Sequence, residues 1–446
     1  MYFSNTRKII SLVRNRISLS LLLLLLLSVA SCVVIENQYT ALAPGLWRGQ
    51  LILDQSIPAA EYDEDAVIQD IDETILPVMF EVNYLSEGKI NVVWINGSER
   101  IVSDSVIWGR DKETGKDSIR IEFPVFDSHI SALYEERVIE GYWELHYKEN
   151  YRIPFVAFFG QSERFKRSGK KPVTDLTGRW NCKFEAGTDD QYDAIGEFIQ
   201  DGEHLAGTFL TETGDYRYLE GIVQGNEFKL CCFDGAHAFL FEGKISGQDS
   251  IQGTFLSGKH YSAFWTGLRD DTASLRDPLQ INFFDNREKA EFKGLDLKGD
   301  PVSTFDRSYA DKSKVIILMG TWCPNCRDAN NFIKGYLSDH PGIQDSIIFQ
   351  AIAFEAYKDN GKNLAALEQY VKKMELPYPV WLGGNKDKDE ASRAVKVLDQ
   401  VKSYPTMIFL DKDDKIRYVH TGFNGPATSE YKEFVSLFQS LIDDIK

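Results

Sequence analysis

The sequence reads VIILM over residues 315–319 and GTWCPNC over residues 320–326, and a helix-like run follows over residues 327–337. Five consecutive apolar residues predict a buried strand, so Cys323 falls where a strand passes into a helix. The unpaired backbone N–H groups of a helix N-terminus stabilise an anion, and the thiolate is the reactive form of cysteine. Cys326 lies one helical turn further on and can complete a disulfide with Cys323. The motif therefore predicts a redox-active dithiol.

Strands alternate with helices around this motif, which is typical of an α/β domain. We expect this domain to span residues 280–446, with an additional N-terminal hairpin within 281–304. Its predicted elements are, in chain order, strand 315–319, helix 324–338, strand 346–354, helix 364–374, strand 378–382, helix 390–397, strands 406–410 and 416–421, and helix 430–442.

Two stretches upstream, residues 44–162 and 174–268, predict all-β domains, because alternating apolar residues are broken by turn pairs such as Asn96-Gly97. In the second stretch the turns separate about eight strands in meander order, the pattern of an up-and-down barrel. Both stretches are predicted to be barrel-like, with a loose similarity in architecture to lipocalin- or avidin-like barrels. A barrel of this size is either filled by side chains or holds a small ligand, and the sequence leaves both open.

The two all-β stretches look like diverged copies of each other. Each opens with Gly-x-Trp, then has Phe-Asp before a histidine, then Gly and an aromatic residue, and closes with Ala-Phe-aromatic. These pairs are residues 45–47 and 178–180, 126–129 and 233–237, 141–143 and 253–255, and 157–159 and 263–265.

The N-terminus has the pattern of an export signal over residues 1–31. Four basic residues precede an apolar run at 17–27, and small residues then lead into Cys32. This arrangement resembles the lipobox of bacterial lipoproteins, in which the cysteine is lipidated. An uncleaved membrane anchor is the rival interpretation, but the apolar run is shorter than the roughly 20 residues that a span needs. Residues 32–43 would form the tether.

These features predict a lipid-anchored protein of the cell envelope, in an oxidising compartment, on the outer membrane and facing the periplasm. A surface-exposed location stays open. The net charge of −17 over 446 residues argues against a nucleic-acid partner, because phosphate binding requires a basic face. Membrane association is expected only through the lipid.

Four motifs together carry a further resemblance: GTWCPNCR at 320–327, Tyr404-Pro405-Thr406, FLD at 409–411 and HTGF at 420–423. On these residues the C-terminal domain resembles the thioredoxin fold, and within it the TlpA-like thiol–disulfide oxidoreductases and the redoxin lipoproteins of bacterial envelopes. The fold class we expect is therefore two barrel-like domains followed by a thioredoxin-fold domain.

The resemblance implies roles for individual residues. Position on the helix adds to this: Cys323 at its start is expected to be the more exposed thiol and the nucleophile, and Cys326, one turn further on, the shielded resolving thiol. Pro405 matches the family's cis proline, and Tyr404 matches the residue that pairs with an extended substrate. Trp322, Pro324 and Asn325 would support the site, and Glu355 is the candidate proton acceptor, because Ile317 stands where thioredoxin has a buried aspartate. An exposed, solvated Glu355 is the competing interpretation.

Other interpretations of the cysteines are weaker. A structural zinc site would need further ligands, and no second Cys pair or His cluster follows at a useful spacing, so we expect neither a metal nor a cofactor. A purely structural disulfide fits the strand–helix junction less well than catalysis does. A peroxiredoxin would need Thr where Gly320 stands. Cys182 could bridge Cys231 or Cys232, only one of which can face inward, or all three could be buried free thiols.

Two functions follow from the sequence. The first is a lipid-anchored oxidoreductase that reduces protein disulfides, with substrate proteins and an upstream electron-donor protein as partners. The alternative is a ligand- or partner-binding envelope lipoprotein in which the dithiol domain is auxiliary, since the β stretches make up about half of the mature chain.

Overall fold

A computed structural model describes residues 41–53, 74–85, 89–284 and 288–446. The predicted signal segment at 1–31, Cys32 and most of the predicted tether lie outside the described residues. In the described ranges, no helix has the length and apolar character that a membrane crossing requires. Leu42–Lys446 contact one another as one compact unit, so the boundaries at 44–162, 174–268 and 280–446 stay predictions.

The described elements comprise strands and four α-helices. The strands of the β region are β1 Gly45–Ile52, β2 Ile75–Tyr84, β3 Ile90–Asn96, β4 Glu99–Ser103, β5 Val106–Arg110, β6 Asp117–Phe123, β7 Ser128–Glu135, β8 Val138–Leu145, β9 Arg152–Phe159, β10 Gly178–Phe184, β11 Tyr192–Asp201, β12 His204–Thr211, β13 Gly214–Asp215, β14 Leu219–Gln224, β15 Glu227–Phe233, β16 Ala238–Ile245, β17 Ser250–Ser257 and β18 Tyr261–Arg269. The α/β domain comprises β19 Lys293–Leu295, β20 Pro301–Ser303, β21 Ser313–Met319, α1 Pro324–Asp339, β22 Ile347–Glu355, α2 Asn360–Met374, β23 Val380–Asn385, α3 Lys388–Ala394, β24 Thr406–Leu410, β25 Ile416–Thr421 and α4 Tyr431–Ile445.

Strands β10–β18 form the predicted closed barrel. Eight strands follow one another in antiparallel order, and pairing of β11 with β12 closes the sheet, while the two-residue β13 pairs beside β12. Aromatic side chains fill the interior, with ring centroids 4.3 Å apart for Phe241 and Phe255 and 4.7 Å apart for Phe209 and Phe241. This interior is therefore a packed core built from side chains.

Strands β1–β9 form a half barrel, so the expectation of a second barrel is only half met. The antiparallel order runs from β4 at one edge to β5 at the other, and no strand ladder joins these edges within the described residues. The open side packs on the outside of the barrel instead. Alternation along β15 explains how: Cys231 and Phe233 pack in the core of the half barrel, whereas Leu230 and Cys232 pack inside the barrel. Strand β15 thus contributes side chains to the cores of both the half barrel and the barrel.

The predicted relation between the two β regions has a structural counterpart. Trp47 and Trp180 are both fully buried on the first strand of their sheets. Each indole N–H donates to the carbonyl four residues earlier, at 2.9 Å, on Ala43 and Leu176. The first strand of each sheet therefore carries the same local hydrogen bond.

The α/β domain has the element order of the thioredoxin fold. Its seven-stranded sheet runs β20-β19-β23-β22-β21-β24-β25, with β21, β22 and β23 parallel and the other pairs antiparallel. The elements predicted from the sequence are present, and the hairpin predicted within 281–304 is β19–β20. Fully buried β21 lies at the centre, which explains its unbroken apolar sequence. It ends where the dithiol begins.

Candidate active site around the dithiol

Cys323 caps the N-terminus of α1. Its backbone is extended, and Pro324 occupies the first helical position, where no N–H is required. The Cys326 amide donates a hydrogen bond to Cys323 Sγ at 3.2 Å. A helix N-terminus and an amide donor both stabilise negative charge on this sulfur. The geometry suits a nucleophilic thiolate.

Cys326 lies behind Cys323, and both are free thiols. Burial, together with the neighbouring Cys323, raises the pKa of Cys326 well above its usual value. The exposed fraction is 6 % for Cys323 and 1 % for Cys326. Cys323 is the more exposed of the two, as expected, and both are buried.

The loop before β24 lies against the dithiol. The Tyr404–Pro405 peptide is cis, as the resemblance implied. Cys323 Sγ is 3.5 Å from the Tyr404 carbonyl oxygen. Trp322 packs edge-on against Tyr404, with ring centroids 5.8 Å apart, and its indole donates to the Phe354 carbonyl at 3.0 Å. The structure therefore brings together Trp322, Tyr404 and Pro405 around Cys323.

Glu355 ends β22 and is only 2 % exposed, so the interpretation as a solvated surface residue is wrong. Its carboxylate accepts hydrogen bonds from the Thr321 amide at 2.9 Å and the Thr321 hydroxyl at 2.7 Å. Burial raises the pKa of Glu355 to about 7, against the lowering effect of these bonds. A carboxyl that titrates near neutrality beside a thiol pair suits proton transfer.

Lys386 approaches the same face. Its ammonium lies 5.0 Å from the Trp322 ring centroid and 5.5 Å from that of Tyr147, which comes from the half barrel. Burial lowers the pKa of Lys386. Lys386 therefore contacts an aromatic ring of the α/β domain and one of the half barrel, next to the dithiol.

The barrel also reaches the dithiol. Asn325, between the two cysteines, donates from Nδ2 to the Asp215 carbonyl at 3.2 Å. Ser403, next to Tyr404, donates from its hydroxyl to the Thr213 carbonyl at 3.0 Å. A turn of the barrel therefore touches both loops that form the site.

The half barrel contributes a chain of hydrogen-bonded side chains. The Tyr357 hydroxyl contacts one oxygen of Asp127, and His146 Nδ1 lies 2.7 Å from the other oxygen. His146 Nε2 is in turn 2.6 Å from Nδ1 of His129. Burial lowers the pKa of His129 to about 4. His129, one of the two histidines shared between the β regions, thus belongs to an interface network.

Sequence reasoning missed Thr213, Asp215, Arg217, Asp127 and Lys386. Asp127 belongs to the Phe-Asp feature shared by the two β regions, but nothing in that feature indicated a contact with the α/β domain. Thr213, Asp215, Arg217 and Asp127 all lie more than 100 residues from the dithiol in the chain. The buried polar residues of the barrel gave no signal before the fold was known. Among the described residues, no cluster of three or more His, Cys, Asp or Glu side chains is arranged to hold a metal ion.

No protein-family model matches the sequence, and no curated protein sequence matches it. Solved structures do show likeness over about a third of the chain. A thiol:disulfide interchange protein of the thioredoxin family from Chlorobium tepidum TLS is 19% identical, covers 35% of this chain and 97% of its own, and has a TM-score of 0.27. A putative protein disulfide isomerase from Bacteroides thetaiotaomicron is 19% identical over 37% of this chain and 91% of its own, with a TM-score of 0.28.

A thiol-disulfide oxidoreductase from Bacteroides fragilis NCTC 9343 is 17% identical over 33% of this chain and 99% of its own, with a TM-score of 0.26. Part of this chain is similar to these three proteins. The thioredoxin fold of the C-terminal domain follows from the order and pairing of its own strands and helices.

Proposed function

We propose that the protein is a thiol–disulfide oxidoreductase that reduces protein disulfides through Cys323 and Cys326. The observation that carries this proposal is the position of Cys323 at the start of α1, with its sulfur on the Cys326 amide and beside the Tyr404–Pro405 loop.

The reaction is an exchange of sulfur–sulfur bonds. The Cys323 thiolate attacks one sulfur of a substrate disulfide, so a Cys323–substrate bond forms and the second substrate sulfur leaves as a thiolate. Cys326 loses its proton and attacks Cys323, which releases the first substrate sulfur and leaves a Cys323–Cys326 disulfide. Two electrons pass to the substrate. A dithiol protein acting as upstream electron donor then reduces the pair again.

Glu355 is the proposed proton acceptor for Cys326. Its pKa of about 7 lets it hold or release a proton under neutral conditions, whereas the buried Cys326 thiol cannot ionise readily without an acceptor. Tyr404 and Pro405 would position the substrate chain, with Trp322, Pro324 and Asn325 as supporting residues.

We further propose that Cys32 carries lipid and tethers the protein to the outer membrane, facing the periplasm. The order of basic, apolar and small residues before Cys32 supports this. Metabolic labelling with a radioactive fatty acid should mark the wild-type chain and fail with Cys32→Ser.

The activity is tested with the full chain. The wild type should reduce insulin disulfides in the presence of dithiothreitol, and Cys323→Ser should abolish the reaction. Cys232→Ser, a matched change of a buried thiol outside the site, should keep it. Insulin reduction by Cys323→Ser at the wild-type rate would refute the proposal.

A further inference from the structure

A segment of the barrel lies over the dithiol. This cover segment, residues 212–217, joins β12 to β14 and includes β13. Two of its carbonyls accept hydrogen bonds from the site, that of Thr213 from Ser403 and that of Asp215 from Asn325. The cover segment thus touches the residue before Tyr404 and the residue before Cys326.

The cover segment also packs on the loop after β25. The Asp215 carboxylate accepts the Gly425 amide at 2.5 Å. Gly422 has a φ of +78°, and a Cβ there would lie 2.6 Å from the Glu212 carbonyl oxygen. This approach requires glycine, both for its φ and for space. The cover segment therefore lies close to this loop at Glu212 and Asp215.

Arg217 fixes the end of the cover segment. It is 2 % exposed and donates from one NH group to Asp328 on α1 at 2.6 Å. Its other charged neighbours lie in the β regions: Glu99 accepts from the second NH group, and Asp234 is 3.4 Å from Nε. Asp328 therefore ties this buried cation to the helix that carries the dithiol.

Charged and polar pairs also join the β regions to the α/β domain beyond the cover segment. Lys373 pairs with Asp104 at 2.7 Å, the Ser429 amide donates to Glu197 at 3.0 Å, and Arg179 lies 3.3 Å from Glu430. Polar interfaces between domains of one chain resemble transient protein–protein interfaces, which separate readily. Such an interface can open without exposing a large apolar surface.

From these contacts we infer that the cover segment selects substrates by size at the proposed active site. Small disulfides reach Cys323 while the segment is in place. An extended protein chain next to Tyr404 would meet Thr213, so a protein disulfide reaches Cys323 only after the Arg217–Asp328 contact opens. Cys323 is 6 % exposed and Tyr404 7 % exposed, and the cover segment is hydrogen-bonded to Asn325 and Ser403 beside them. The inference rests on the proposed function for its substrates, but the access of reagents to Cys323 can be measured without any catalysed reaction.

The test measures access to Cys323 in the full chain carrying Cys326→Ala. The labelling rate of Cys323 with N-ethylmaleimide is divided by the rate with a maleimide attached to a 5-kDa polyethylene glycol, and peptide mass analysis identifies the labelled site. The same ratio in urea corrects for the intrinsic reactivity of the reagents. Because both reagents need the thiolate, the ratio does not depend on how far Cys323 is ionised.

The folded chain should favour the small reagent by about tenfold over the ratio in urea. Asp328→Asn weakens a charge-assisted hydrogen bond and should bring the ratio down about tenfold, towards the urea value. Asp339→Asn removes the same charge from the exposed C-terminal end of α1 and should leave the ratio unchanged. Ser403→Ala, which leaves no buried charge behind, should shift the ratio in the same direction as Asp328→Asn but less.

A folded wild-type ratio equal to the urea ratio would overturn the inference. So would an unchanged ratio in Asp328→Asn when hydrogen exchange shows that residues 212–217 have become more open. Insulin and a small aromatic disulfide separate the two proposals. Faster insulin reduction by Asp328→Asn, with unchanged reduction of the small disulfide, supports both. If Asp328→Asn changes the labelling ratio but no variant reduces a disulfide, the inference about the cover segment is supported and the proposed function is refuted.

Discussion

The thiols of the dithiol and those of the shared strand β15 are all buried, yet their surroundings differ. Cys323 begins a helix and receives an amide hydrogen bond at 3.2 Å. Cys231 lies in a strand, 3.8 Å from the guanidinium of Arg164, and burial still raises its pKa to about 11. The nearby cations Arg164 and Arg48 thus fail to offset desolvation. The comparison predicts that position on the backbone, more than a neighbouring charge, makes Cys323 a reactive thiol and leaves Cys231 a packing residue.

The largest expected contrast between the two regions is in activity. Cys323→Ser removes the nucleophile and should lower insulin reduction by about 10³-fold or more, because the hydroxyl has no comparable nucleophilicity at neutral pH. Cys231→Ala and Cys232→Ser should stay within about twofold of the wild type. The measurement is the initial rate at equal concentrations of folded protein. A large loss of rate in the β15 variants would contradict the claim that only the dithiol takes part in the reaction.

The next contrast is in thiol reactivity. At pH 8 the raised pKa values of Cys231, about 11, and Cys182, about 12, leave very little thiolate. N-ethylmaleimide should therefore label Cys231 about 10²-fold more slowly than a solvent thiol, and slower still where access is blocked. Cys323 should be labelled first. Rates at each site follow from peptide mass analysis, and urea should remove the difference.

A third contrast concerns Glu355, because its pKa is raised by burial, whereas the pKa values of the carboxyls near the β15 thiols, Glu220 and Asp234, are lowered by their hydrogen bonds and neighbouring cations. The pKa of Glu355 is about 7 in the folded chain and 4.5 in its ordinary state. Between these values the folded chain binds more protons than the unfolded chain. The free energy of unfolding should therefore fall as the pH rises from 4.5 to 7, by about 3 kcal/mol in all.

Glu355→Gln cannot titrate and should lack this fall in stability. Urea unfolding at pH 4.5, 6 and 8 measures the difference between the two chains. If Glu355 is the proton acceptor, the rate of insulin reduction in the wild type should also rise through about pH 7, and the glutamine variant should lose that rise. Parallel stability curves for the two chains would contradict the assigned pKa.

The smallest expected effect is on packing. Cys231 is fully buried in the core of the half barrel, so Cys231→Ala should lower the free energy of unfolding by about 1–2 kcal/mol through lost contacts. Thermal or urea unfolding gives the value. A destabilisation with unchanged activity would assign Cys231 to packing alone, whereas a loss of activity without a loss of stability would contradict that assignment.

Local sequence patterns were enough to predict the strand–helix junction at Cys323 and the cis Tyr404–Pro405 peptide. The apolar strand β21, the CxxC motif and the Tyr404–Pro405 pair are short-range features, and the fold places them together. The burial of Glu355 was left open because it depends on what packs over the end of β22. The three β-region cysteines are free and buried, which was one of the two alternatives.

The half barrel and the cover segment were beyond sequence reasoning for a physical reason. Whether a sheet closes depends on pairing between its edge strands, here β4 and β5, and alternation within each strand does not report it. The partners of Arg217 are Glu99, Asp234 and Asp328, which are far apart in the chain. Long-range polar contacts of this kind leave no periodic pattern.

The most direct test of the central claim is a trapping measurement on the full chain with Cys326→Ala. Mixed with insulin that retains its disulfides, this variant should form an adduct that dithiothreitol cleaves. Peptide mass analysis should place the bond on Cys323. The same treatment of the chain with both Cys323→Ser and Cys326→Ala should yield none. An adduct on Cys231 or Cys232, or no adduct while the chain remains folded, would contradict the assignment of Cys323 as the nucleophile.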